Sequence, residues 1–152
     1  MTEIDRIRDQ IARAFDGQAW HGPPLKRLLS EVSPGTASAR PLGHRHTIWE
    51  ILLHVTSNTE LVVSRLEGEG RTLGPEEDWP PMPENTGDKE WKAAVSRLER
   101  VHKSLLDRIA KIDPKTLDAP VAPGFSSIYV TVHGLIQHNL YHAGQIALLR
   151  EA

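Results

Sequence analysis

The chain has no cysteine. That absence removes disulfides, thiolate nucleophiles and every zinc site built on cysteine sulfur. No apolar run approaches the ~20 residues needed to cross a bilayer, so no membrane association is expected. The opening stretch MTEIDRIRDQIARAF is charged and amphipathic and lacks the apolar segment of a signal peptide. The expected location is the cytoplasm. An excess of either charge is missing too: 18 basic and 20 acidic residues are interspersed, for a net charge of -2. Without a basic patch, no nucleic-acid partner is expected.

What remains is an ordinary globular composition, 39% hydrophobic and 25% charged over 152 residues, with no internal repeat. Such a length suits one domain, residues 1–152, with a sizeable core. The patterning predicts an all-α protein of four main helices. The first spans Thr2 to Phe15, with Ile4, Ile7, Ile11 and Ala14 on one face, and Asp16-Gly17 stops it. A shorter helix follows Pro23-Pro24 and is broken at Pro34-Gly35. Thr47 and Glu50 form a capping box for the second main helix, which runs to about Glu67, where Gly68 can end it. Residues 68–86, with three glycines and four prolines, read as a loop. Helices joined by so long a crossover need not be antiparallel neighbours.

The third main helix is expected over Asp88 to Ile112, burying Trp91, Val95, Leu98, Leu105, Ile109 and Ile112, and Asp113-Pro114 ends it. Within the next connection, SSIYVTV has the composition of a short strand, although Thr131 reads better as a helix cap. The fourth main helix then covers Val132 to Arg150.

With sulfur excluded, any metal must be held by imidazole or carboxylate, which directs attention to eight histidines. His138 and His142 are four residues apart, so they differ by about 40° around a helix axis and lie one above the other. Paired histidines at that spacing can bind one ion, as in zinc proteases. They share an inward stripe with Leu135, Gln145 and Leu149. There an imidazole loses hydration and needs a partner or a metal. Gly134, one turn earlier, leaves room, and Gln145 could hydrogen-bond a ligand or a neighbouring group. His133 lies about 140° from His138 and cannot join the pair.

A third ligand should come from a facing helix, and His54, on the line Ile51, His54, Asn58 and Leu61, is the best candidate. Three neutral imidazoles with open positions resemble a catalytic zinc site, and nickel or iron(II) would also accept imidazole. The other histidines have plainer readings. His102 sits on the third helix's stripe as a bundle-edge residue or a fourth ligand. His44 and His46 either face solvent or approach the mouth of a site. In Trp20-His21-Gly22-Pro23-Pro24 the aromatic packs a corner or lines a pocket. Glu50, one turn before His54, could act as an acid or base, though capping accounts for it fully.

IWEILLHVT followed much later by HNLYHAGQIALLR, together with AWHGPPLKRLL and the long second connection, resembles the DinB/YfiT-like family of bacterial metalloproteins. The resemblance covers nearly the whole chain. It implies a four-helix bundle of up-down-down-up connectivity, often a homodimer, with its metal triad at His54, His138 and His142. Characterised relatives include bacillithiol-dependent S-transferases and mycothiol-dependent isomerases, in which the metal is thought to activate the cofactor thiol. Three functions are therefore carried forward. One is a metal-dependent enzyme, a thiol S-transferase or hydrolase-like, acting on a small molecule with a divalent ion and a low-molecular-weight thiol. The second is a non-catalytic metal-binding module for stress response, and the third a plain dimerisation domain.

Overall fold

The computed structural model describes residues 1–152. Its helices are α1 (Glu3–Asp16), α2 (Leu25–Ser30), α3 (Pro34–Ser38), α4 (Ile48–Leu66), α5 (Pro75–Asp78), α6 (Asp88–Ile109) and α7 (Ile128–Glu151), with a 3-10 turn at Pro114–Thr116. The protein is all-α. Two N-termini are closed by reciprocal capping: Thr2 with Asp5 on α1, and Thr47 with Glu50 on α4. In the second, the Glu50 N–H donates to Thr47 Oγ1 at 3.1 Å and the Thr47 N–H donates to the Glu50 carboxylate at 2.8 Å. At the other end of α4, Gly68 takes φ +92°, the left-handed conformation that terminates a helix at little cost to glycine.

The four long helices form a ring in which α4 touches α6 and α7, and α1 touches the same two. Cross-contacts give the directions. Trp49 meets Trp91, Glu60 meets Arg97, and the Leu66 carbonyl accepts from Arg108, so α4 and α6 run parallel. Phe15 stacks on His102 while Ile4 and Ile7 reach Leu105 and Ile109, so α1 opposes α6. Ile51 lies beside Leu149, and Val62 beside Val132 and Leu135, so α4 opposes α7. The connectivity is up-down-down-up, as the resemblance implies. Its physical requirement is that residues 67–87 carry the chain back along the bundle, roughly 28 Å for the 19-residue α4.

Several local readings need correction. The last main helix begins at Ile128, and its cap is Ser127, whose Oγ accepts from the Val130 N–H at 3.1 Å. Thr131 is already inside the helix and donates to the Ser127 carbonyl at 2.8 Å. SSIYVTV forms no strand, because Ser127 diverts it into the helix and Val132 is fully buried against α1 and α6. Only a single bridge, Pro120 to Ser127, closes the preceding loop. The third main helix ends at Ile109, and Val95 and Ile112 are half-buried. A short helix, α3, forms where a break was expected, capped by Ser33 with Pro34 in its first turn. The loop of 68–86 also contains one turn of helix, α5, and this matters for the site.

Candidate metal centre

Two apolar clusters fill the bundle. One gathers Trp49, Trp91, Leu98 and Ile146, the other Ile7, Leu105, Ile109 and Val132. Between Leu52 of the first and Val62 of the second, α4 turns partly polar on its inner side. Thr56 and Thr59 are buried there and donate to the carbonyls one turn back, at 2.8 Å each, so their hydroxyls cost little. His54 belongs to this seam and is 6% exposed. The corresponding stretch of α7, between Leu135 and Ala143, contributes His138 and His142, the latter also buried.

The three imidazoles meet. One ligand atom from each lies within 4.8 Å of the others, and the His54 and His138 Nε2 atoms are 2.9 Å apart. Each ring is oriented from behind through Nδ1. His54 Nδ1–H donates to the Asp78 carbonyl at 2.6 Å, His138 Nδ1–H to Asn139 Oδ1 at 3.2 Å, and His142 Nδ1–H to Gln145 Oε1 at 2.6 Å. A carbonyl can only accept, so these partners assign the proton to Nδ1 and leave Nε2 as a lone pair. Asn58 Nδ2 also lies 3.3 Å from His54 Nδ1, but its protons go to the His54 carbonyl and to Asp78 Oδ1.

Burial pushes all three imidazoles below the usual histidine range. For His54 the Asp78 carbonyl and carboxylate oppose that shift, and for His142 Gln145 does so, without reversing it. Neutral rings are the form that ligates. Two inward lone pairs 2.9 Å apart repel unless a cation or proton lies between them, so the donor set fits a metal. A tetrahedral ion at ~2.0–2.1 Å from each nitrogen would set those nitrogens about 3.3 Å apart, within the observed span.

The crossover covers this cluster. Trp79 stacks on His54 with ring centroids 3.7 Å apart and planes 3° from parallel. His46 stacks on Trp79 at the same 3.7 Å and 6°, so the two imidazoles take opposite faces of the indole. Asp78 and Trp79 were not singled out from the sequence. The available signal was a tryptophan beside acids and prolines inside a supposed loop, a costly residue to leave in solvent.

Of the remaining sequence candidates, His46 reaches the mouth, whereas His44 and His21 are exposed elsewhere. His102 is buried against Phe15, 3.7 Å away, and is not a fourth ligand. Burial pushes it down to about 4. His133 packs on Tyr129, away from the cluster. Trp20 packs no corner: it is fully exposed and, with His21, lines an open surface cavity away from the cluster. Burial alone would raise the Glu50 pKa, but Arg40 and the Thr47 N–H outweigh it and hold the group ionised.

A four-helix bundle with three inward imidazoles at its polar seam defines a class of protein in which a metal ion can be held between facing helices. The family model described as the DinB superfamily matches residues 23–146. The chain belongs to the DinB superfamily. Comparisons with curated proteins and with solved structures found no match.

Proposed function

We propose that this protein is a metal-dependent enzyme in which His54, His138 and His142 hold one divalent transition metal, with zinc the first choice and nickel or iron(II) the alternatives. The observation that carries the reading is the pair of inward Nε2 lone pairs at 2.9 Å, each made by a ring whose Nδ1 proton is already committed. A bound divalent ion supplies Lewis acidity, which lowers the pKa of a thiol or water brought to it. The chain's part is to hold three neutral rings, keep water from His54 with the Trp79 indole, and leave His142 facing a cavity of about 380 Å3. A low-molecular-weight thiol fits the chemistry because the protein has no sulfhydryl of its own. The activity is then a thiol S-transfer or a hydrolase-like reaction.

One observation favours the alternative of a non-catalytic metal-binding module. Glu50 is engaged by Thr47 and Arg40, and Asp78 Oδ1 by Asn58, so neither carboxylate near the cluster is a free base. The deciding experiment uses protein purified without an affinity tag. Metal is quantified, and the cobalt(II)-substituted protein is titrated with bacterial thiols while its visible spectrum is recorded. A thiolate charge-transfer band supports the enzyme; metal without any thiol response supports the module. Homodimerisation is part of the proposal, and light scattering on the purified chain tests it.

A further inference from the structure

The three imidazoles do not share one wall. His142 lines the cavity of about 380 Å3 already described, whose surface is mainly apolar (Leu42, Ile51, Trp79, Tyr141 and Leu148) although Arg45 and Gln145 also border it. His138 instead lines a second cavity, of about 240 Å3, between the carboxy-terminal half of α4 and the start of α7. Its wall is mixed: Asn58, Arg65, Ser126 and Thr131 supply polar groups among Leu61, Val62, Val130 and Leu135, and Gly134 forms part of its floor.

Arg65 is the informative residue. Its Nε–H donates to the Arg71 carbonyl at 3.1 Å, and its guanidinium carbon lies 5.0 Å from the Phe125 ring centroid. The side chain is thus held in place while its two terminal nitrogens make no hydrogen bond and no carboxylate pairs with it. A fixed, un-neutralised guanidinium beside hydroxyls matches a carboxylate, which it can engage through both nitrogens. Gly134 keeps the space open, because a Cβ added there would meet no atom within 4 Å.

We propose that the histidine centre is served from two sides, with the Arg65 cavity receiving a small organic acid and the Trp79–Tyr141 cavity receiving an apolar molecule at the same time. The inference rests on the metal-site reading only for its purpose. The two cavities exist in the chain without it.

The test uses the full chain, isotope-labelled, in metal-free and zinc-loaded forms. Succinate and benzyl alcohol are the probes, followed by chemical-shift changes. Succinate should perturb Thr131 and Gly134, benzyl alcohol Tyr141 and Leu148, and each should bind in the presence of the other with less than a threefold change in Kd. Arg65→Gln should weaken succinate at least tenfold and leave benzyl alcohol unchanged. Gly134→Leu, which fills the cavity without displacing backbone, should abolish succinate binding while the protein stays folded. Mutual exclusion of the probes overturns the proposal, as does succinate binding indifferent to both substitutions. Zinc content is read on the same samples: succinate bound by a protein that takes no zinc removes the metal reading alone, and zinc without succinate removes this one alone.

Discussion

At the scale of single residues, the cluster depends as much on what lies behind the rings as on the rings themselves. Gln145 accepts from His142 Nδ1–H at 2.6 Å and so fixes which nitrogen faces inward. Replacing it with leucine keeps the volume and removes the acceptor. Zinc affinity should fall by roughly 10–100-fold in a chelator competition, the usual cost of losing such a support. Asp78 differs, because the shorter of its two contacts to His54 Nδ1, the 2.6 Å bond to its carbonyl, comes from the main chain and survives truncation, and only the carboxylate oxygen at 3.2 Å is lost. Asp78→Ala should therefore weaken zinc less than Gln145→Leu does, and the reverse order would contradict the assignment. His102 supplies a separate reading of pH. Its folded pKa, about 4, lies below the ordinary value of 6.5, so the unfolded chain binds more protons between those limits. The contribution is intact above pH 6.5 and is lost as pH falls toward 4. Between pH 6.5 and 5 the wild type should lose roughly 1.5 kcal/mol more than His102→Leu in urea unfolding. Equal pH slopes for the two proteins would show that His102 is not buried as described.

The element scale tests where the last helix begins. Ser127 caps α7 through the Val130 N–H, whereas the Thr131 hydroxyl only returns a bond to the turn before it. Ser127→Ala should cost about 1 kcal/mol, and Thr131→Ala clearly less. The same helix carries Gly144, which is exposed and has open space where a methyl group would stand. Gly144→Ala should raise stability by ~1 kcal/mol, because alanine gives up less backbone freedom in a helix. Urea midpoints at constant m-value measure both. The crossover is the element whose role the sequence concealed. Its composition signalled a long connecting loop, yet α5 inside it sets Asp78 and Trp79 over His54. Nothing in the local pattern of residues 68–86 points to a histidine 24 positions earlier, since that contact exists only once the bundle is assembled.

For the whole molecule, an ion held between α4 and α7 would tie together two helices that are far apart in the chain. Binding to the folded state alone adds stability by mass action, about 2.7 kcal/mol at a hundredfold excess over Kd. Zinc should raise the thermal midpoint, chelation should reverse the gain, and His54→Ala should show neither effect while remaining folded. A zinc-dependent midpoint that survives in His54→Ala would place the ion elsewhere.

The sequence by itself determined the helical class, the two histidines of α7 and the candidacy of His54. Capping boxes and the three-four spacing of apolar residues are local, and an i,i+4 pair shares a face in any helix. The parallel run of α4 and α6 was legible only through the family resemblance, and tertiary structure alone decided that Ser127 rather than Thr131 opens α7 and that Asp78 and Trp79 close over the cluster. Those outcomes follow from burial and from contacts between residues distant in the chain, such as Val132 against α1 and α6 and Trp79 against His54. Local preference carries no record of such partners, because their energy arises only when the helices pack.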